Sequence, residues 1–171
     1  AASDVYKGQP LLDLLAVSIA SDLVSVTGEN RILAHYGLKQ LNEAPRKGLE
    51  AMIRLTGIDK SHLSIDDIVF KIGPRINAAG RMESGRIAVE LLTATDEETA
   101  NRIGSEINRH NNERKDIDRK TTQEAIAMVE SGKVLKGLDD ISLKHTTIVY
   151  NPDWHKGVVG IVASRLVEYF Y

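Results

Sequence analysis

The organisation of this chain is decided by residues 96–131, which read DEETANRIGSEINRHNNERKDIDRKTTQEAIAMVES. The stretch contains no proline and a single glycine, Gly104, so we predict one long helix. Its middle, residues 108–116, has no apolar residue, whereas a helix packed on a core shows one every three or four positions. We therefore expect each end to pack on a domain while the middle crosses solvent as a strut. Two helices joined by a polar loop are the alternative.

Upstream of this stretch, the sequence predicts a set of shorter helices. Residues 10–24 are almost continuously apolar, which indicates a buried helix. Ser64 and Asp67 have the spacing of a capping box at the start of a short helix, which we expect to end at Gly73-Pro74. The remaining helices are expected from the turn at residues 27–30 to about 42, from Pro45 to 57, and over 84–94.

Downstream of the long helix, the pattern becomes that of an α/β unit. Residues 132–143 are predicted to form a loop. Residues 146–150 read TTIVY and are predicted to form a strand, because β-branched residues dominate them. A helix is expected over 157–170.

The composition of the 171 residues, 42% hydrophobic and 27% charged, is typical of a globular protein. With a net charge of -2, a nucleic-acid site would have to come from local clusters of Lys and Arg. The absence of cysteine excludes disulfides and thiolate metal sites, which agrees with a cytoplasmic protein. No apolar run reaches the roughly 20 residues of a membrane span. Because the chain lacks an initiator Met and ends in an apolar run, we expect it to be an internal piece of a longer protein.

The first candidate site is the segment GPRINAAGRM at residues 73–82. Between residues 71 and 86, four cations stand against one anion: Lys71, Arg75, Arg81 and Arg86 against Glu83. Small residues would let backbone N–H groups approach a ligand, and the planar fork of Arg suits phosphate. A tight turn with solvated arginines is the alternative.

The second candidate is NPDWHKGVVG at residues 151–160, at the predicted junction between strand and helix. A helix N-terminus has unpaired N–H groups and a partial positive charge, and it therefore attracts anions. His155, Lys156 and the backbone of Gly157 fit this role, and Ser164 and Arg165 follow on the helix. An ordinary connection with Trp154 as a packing residue is the alternative.

The third candidate is Asp22, a carboxylate in the most apolar stretch of the chain. Buried carboxylates are rare unless they are paired or bound to a metal. Asp13 is placed similarly, and spacing does not choose between the two; a surface Asp at a helix end is the alternative. The five histidines are scattered with no pair at i, i+4, so each is more readily structural than a ligand, with His155 alone in a suggestive context.

Three segments together resemble the RecJ family. Residues 18–31, SIASDLVSVTGENR, carry an Asp after a run of small residues and then a TGENR turn. Residues 73–81 match the GPR(I/L)NAAGR signature of the family, and residues 154–165 match its WHxGV(I/V)GIVASR signature. The order and separation of the segments also agree with that family.

The resemblance implies an α/β fold with two domains joined by a long helix. We expect the mainly helical C-terminal part of a DHH domain at residues 1–94, the connecting helix at 95–131, and the beginning of an α/β DHH-associated domain at 132–171. The resemblance also implies hydrolysis of single-stranded DNA from the 5′ end in DNA repair and recombination. Two divalent metals, manganese or magnesium, would assist it.

By the same resemblance, Asp22 corresponds to the last metal-ligand Asp of the DHH domain. The positions implied to face nucleic acid are Arg75, Asn77, Arg81, His155, Lys156, Gly157, Ser164 and Arg165. The earlier ligands, including the Asp-His-His triplet, are absent, so we expect no complete catalytic site in this chain.

Single-stranded DNA is the implied partner, with DNA-repair helper proteins as further candidates and no membrane. Two alternative functions stay open: a DHH phosphoesterase acting on small nucleotides, and a non-catalytic nucleic-acid-binding relative.

Overall fold

A computed structural model describes residues 9–59, 62–132 and 147–171. Within these ranges the helices are α1 Leu12–Ser21, α2 Gly28–Glu43, α3 Lys47–Thr56, α4 Ile65–Asp67, α5 Gly73–Met82, α6 Arg86–Thr93, α7 Glu97–Glu130 and α8 Lys156–Phe170. A 3₁₀ turn, Gln9–Leu11, precedes α1, and a π-helical turn, Ile68–Ile72, joins α4 to α5. The chain divides into two compact units, Ala1–Asn111 and Asn112–Tyr171.

The first unit contains two apolar clusters. One lies among α1, α2, α3 and the π turn: Ala16, Val17, Ala20, Leu41, Leu49, Ile53, Ile58, Leu63, Ile68 and Ile72. The other joins α3, α5 and α6 to the first turns of α7: Met52, Ala79, Ala88, Leu91, Ile103 and Ile107. The buried helix predicted over residues 10–24 is confirmed as α1, although it ends at Ser21.

Two glycines allow helices of the first unit to approach closely. A Cβ on Gly37 would overlap the carbonyl oxygen of Leu12, and a Cβ on Gly48 would overlap that of Leu91. The side-chain-free positions therefore let α2 lie directly on the backbone of α1, and α3 on that of α6.

A buried ion pair ties α1 to the start of α3. Asp13 is 1% exposed. Its Oδ2 accepts from Arg46 Nε at 2.7 Å and its Oδ1 from Arg46 Nη2 at 2.6 Å. The buried carboxylate of the apolar stretch is thus Asp13, whose charge a two-bond guanidinium contact compensates.

The capping box predicted at Ser64 and Asp67 is confirmed. The prediction that this helix ends at Gly73-Pro74 is wrong, because the π turn leads directly into α5. Pro74 lies in the first turn of α5. Proline is tolerated there because the N–H groups of a first turn have no intrahelical partner. Pro45 also differs from prediction, since α3 begins after it, at Lys47.

The single long helix predicted over residues 96–131 is confirmed as α7. The expectation that residues 108–116 would be exposed around most of the helix is wrong, since His110 is 4% exposed and Asn111 is fully buried. Farther along the helix Asp118 and Thr121 are also buried, at 2% and 4%. A stripe at helical spacing is therefore buried without apolar side chains, which a hydrophobic pattern cannot reveal.

The second unit packs α8 on the C-terminal part of α7. Its core is Ala125, Val158 and Val162, with Ile117, Val149, Trp154 and Leu166 partly buried around it. The helix predicted over 157–170 is confirmed as α8.

Most of the loop predicted at 132–143 lies outside the described residues, as does Thr146. The strand predicted at 146–150 is not found over 147–150. A strand needs a paired neighbour, and the described ranges contain no other strand to pair with it. Over those ranges the chain is mostly helical. No described helix is both long enough and apolar enough to cross a membrane.

Candidate nucleic-acid interface

The segment at residues 73–82 is a helix, α5, and not the tight turn named as the alternative. The proposed approach of its backbone N–H groups to a ligand is wrong for most of the segment, because helical N–H groups bond to carbonyls one turn earlier. Its small residues serve packing instead, since Ala78 and Ala79 are fully buried. A ligand at α5 would therefore be bound by side chains and not by backbone N–H groups.

Arg75 is the most constrained of these side chains. It is half-buried, its Nε donates to Asn108 Oδ1 at 2.9 Å, and its Nη1 donates to the Lys71 carbonyl at 2.6 Å. Burial lowers the pKa of Arg75 from its usual high value. A guanidinium keeps its proton in proteins, so Arg75 is an oriented and partly desolvated cation.

Asn77 and Arg81 are both exposed. They stand four residues apart on α5, so they share one face of the helix. The amide and the guanidinium together offer several donors along that face, which suits the oxygens of a nucleic-acid backbone.

Asp22 lies just beyond the C-terminus of α1 and is exposed. The end of α1 contacts the start of α5, because a Cβ on Gly73 would lie 2.8 Å from Ser21 Oγ. The structure thus brings Asp22 to the same end of α5 as Gly73. Arg81 stands near the opposite end of that helix.

A cluster that the sequence reasoning missed lies near the C-terminal end of α5. Glu83, Glu106 and His110 each place a ligand atom within 4.8 Å of the others. His110 Nε2 is 3.5 Å from Glu83 Oε2, but it is also 3.0 Å from Arg109 Nη2. A permanently charged guanidinium at the same nitrogen disfavours a cation there. Glu106 and His110 are four residues apart, so the sequence places them on one face of a helix. A pattern that requires two histidines does not include this pair.

The described residues do not assemble a two-metal centre. Such a centre needs several carboxylate and His ligands to hold two ions about 4 Å apart. Asp22 and Glu83 are at opposite ends of α5, which spans about 15 Å over ten residues. Asp22 alone could supply only one of these several ligands.

In the second unit, His155 caps the N-terminus of α8. Its Nδ1 accepts from the N–H of Gly157 at 3.1 Å. The neutral ring therefore carries its proton on Nε2, which makes that nitrogen a donor. Lys156 follows as the first residue of the helix and is exposed. The ammonium and the helix dipole place positive potential at this end of α8.

Ser164 and Arg165 are exposed on α8. Ser164 Oγ donates to the Gly160 carbonyl at 3.2 Å. Arg165 Nη2 is 2.9 Å from Asp118 Oδ2 on α7. Trp154 packs against the core of this unit and donates from Nε1 to Glu124 Oε2 at 3.0 Å, which is the packing role named as the alternative for it.

The chain is similar to proteins named single-stranded-DNA-specific exonuclease RecJ. It is 41% identical over 161 residues to the one from Bacillus subtilis, covering 94% of this chain and 20% of the relative. It is 35% identical over 162 residues to the one from Escherichia coli, covering 94% of this chain and 27% of the relative. No family model matches the chain.

The solved structures that the chain resembles are also RecJ proteins. RecJ from Thermus thermophilus in complex with Mg²⁺ matches with a TM-score of 0.78 at 28% identity, over 94% of this chain and 24% of that chain. An exonuclease RecJ bound to manganese matches with a TM-score of 0.77 at 27% identity, over 94% of this chain and 38% of that chain.

Sequence and structure are thus both similar to one class of protein, the RecJ exonucleases, and the chain spans about a fifth to just over a quarter of the length of these curated relatives. The similarity extends over 94% of the chain, and the resemblance drawn from its three motifs is confirmed.

Proposed function

We propose that the whole protein is a metal-dependent exonuclease that degrades single-stranded DNA from 5′ to 3′ in DNA repair and recombination. The observation that carries this proposal is α5, which presents Asn77 and Arg81 on one exposed face while its other end lies against the segment of Asp22. Phosphate-binding side chains and a metal-ligand carboxylate on neighbouring elements suit a phosphodiester substrate.

The domain assignment follows the same relationship. We propose residues 1–94 as part of a DHH domain, 95–131 as the connecting helix, and 132–171 as the beginning of an α/β DHH-associated domain. The boundary between the compact units falls between Asn111 and Asn112, within α7, which supports a helix shared by two domains.

The residues of this chain divide into three roles. Asp22 is the proposed ligand of a divalent ion, Mn²⁺ or Mg²⁺, the ions named with the solved RecJ structures. Arg75, Arg81 and Arg165 would neutralise phosphate charge. The remaining proposed contacts are Asn77 and Lys156, whose side chains carry N–H donors, and His155, Gly157 and Ser164. The structure already pairs the N–H of Gly157 with His155 and the hydroxyl of Ser164 with the Gly160 carbonyl.

Single-stranded DNA is accordingly the proposed partner, and helper proteins of DNA repair are further candidates. We also propose a cytoplasmic location, because an enzyme of this kind would meet DNA there in the bacteria from which the relatives come.

The test uses the whole protein and the variant Arg81→Ala. We expect weaker binding to a single-stranded oligonucleotide and a salt dependence reduced by about 0.7 in slope, the value for one lost phosphate contact on a single strand. The matched control is Arg102→Ala, which removes an exposed arginine of the same unit outside the motif. If Arg81→Ala leaves both the affinity and the salt dependence of binding unchanged, the Arg81 side chain does not contact DNA.

Activity assays on the whole protein separate the alternatives. Cleavage of a dinucleotide in preference to the oligonucleotide would favour a small-nucleotide phosphoesterase. Binding without cleavage, with either metal, would favour a non-catalytic relative.

A further inference from the structure

Asp118 is a carboxylate with an unusual setting for the surface of a long helix. Its side chain is 3% exposed, although its neighbours along the helix, Arg119 and Lys120, are exposed. A buried carboxylate is costly unless hydrogen bonds and an opposite charge compensate it. The structure supplies both.

The two carboxylate oxygens of Asp118 have different partners. Oδ1 accepts from Thr122 Oγ1 at 3.4 Å, one helical turn later on α7. Oδ2 faces Arg165 Nη2 on α8 at 2.9 Å. The carboxylate is therefore held within α7 and directed at one guanidinium of α8.

Arg165 is the exposed member of the pair, with 49% of its side chain accessible. A guanidinium carries five N–H donors in a rigid plane, and Nη2 of Arg165 lies 2.9 Å from Asp118 Oδ2. Anchoring one edge of the plane leaves the remaining edge in a defined direction. A flexible side chain that is already ordered loses less entropy when it binds a phosphate.

We propose that Asp118 is a positioning residue that orients Arg165 for contact with a DNA phosphate. This inference rests on the proposed function of Arg165. The sign of the effect distinguishes it from simple electrostatics. If charge alone mattered, removal of the Asp118 anion would strengthen binding to the polyanion. A positioning role predicts that removal weakens it.

The test measures binding of a single-stranded oligonucleotide to the whole protein, with a chelator present to prevent cleavage. Arg165→Ala should weaken binding by about tenfold, the scale of one charge-assisted hydrogen bond. Asp118→Ala should cause a smaller loss, and Asp118→Glu should recover part of it. Asp118→Asn keeps the shape of the side chain and provides a readout if the alanine variant does not fold.

A double-mutant cycle separates positioning from a general structural role. If Asp118 acts through Arg165, then Asp118→Ala should have little further effect on binding in the Arg165→Ala background. The matched control is Glu124→Gln, which weakens a different α7 contact of the same unit, that with Trp154. It should leave DNA binding unchanged.

Unchanged binding in Arg165→Ala contradicts the proposed function of that arginine. Loss of binding in Arg165→Ala with unchanged or tighter binding in the Asp118 variants overturns the positioning role alone. Losses that add in the double variant, or an equal loss in Glu124→Gln, also overturn it, because Asp118 would then act through the fold. Non-additive losses confined to Asp118 and Arg165 support it.

Discussion

Asp13 and Asp22 lie in the same apolar stretch, yet the structure gives them different surroundings. Asp13 is buried and bound by Arg46, whereas Asp22 is exposed beyond the end of α1. The difference arises because Asp13 faces another helix that carries a cation, while Asp22 follows the last helical residue. A buried ion pair accounts for Asp13, and the metal-ligand role of Asp22 stays a proposal that rests on the family resemblance.

A second residue-level feature is the carboxylate of Asp67. Its pKa is lowered to about 2, first by the hydrogen bond from Lys71 and then by those from Ser64. An unfolded Asp has a pKa of about 3.9, so the folded state binds this proton less readily. The resulting stabilisation is present above about pH 4 and is lost as the pH falls through about 2.

We therefore expect Asp67→Asn to lose less stability than the wild type between pH 5 and pH 2. Urea denaturation of both proteins across that range measures the difference. The neighbouring exposed carboxyl provides a control, Asp66→Asn, which leaves the capping box intact. Parallel pH curves for the wild type and Asp67→Asn would contradict the prediction.

At the scale of elements, α7 is the feature that joins the two compact units. Its 34 residues correspond to about 51 Å of helix. Its middle is helical as predicted, but one side of that middle is buried through polar residues such as His110 and Asn111. Contacts of that side, and not only its packed ends, therefore support the helix.

Asn112 is exposed, so a substitution there tests the helix with little effect on packing. Asn112→Pro removes a helical N–H and clashes with the carbonyl of Asn108, at a cost of about 3 kcal/mol. We expect reduced nuclease activity of the whole protein while each unit stays folded. Residues 108–116 are not the exposed strut that the sequence predicts, but the need for a continuous α7 in the whole protein remains a prediction that this variant tests.

Circular dichroism and activity assays on Asn112→Pro, with Asn112→Ala as the control, measure both effects. Full activity in the proline variant would argue that the continuity of α7 does not matter for function.

At the scale of the whole molecule, Asp22 is the one ligand that the family resemblance assigns to this chain. A single carboxylate holds a divalent ion weakly, and two-metal hydrolysis needs several ligands. We expect residues 1–171 alone to bind Mn²⁺ weakly and to leave a single-stranded oligonucleotide intact. Oligonucleotide degradation that depends on Mn²⁺ and disappears in Asp22→Ala would show that this expectation is wrong.

Local features were predictable over most of the chain. The capping box at Ser64, the long helix α7 and the helix after His155 all follow from short-range rules of capping, periodicity and the absence of breakers. The prediction of a strand at 146–150 was not confirmed, because a strand forms only beside a partner strand, and the local sequence does not show whether one is present. Pro74 was misjudged because its place in a first helical turn depends on the π turn before it.

The sequence by itself determined the resemblance to RecJ proteins, most of the helices and the motif residues, since each depends on residue types at short or recognisable spacing. Only the tertiary structure decided how the charged side chains are used. Arg46 pairs with Asp13, and Arg75 with Asn108, in each case across 33 positions of the chain. Arg165 meets Asp118 on a different helix. A buried charge is compensated only by a partner within hydrogen-bond distance, however far apart the two residues are along the chain. Such pairs therefore depend on which helix faces pack against each other.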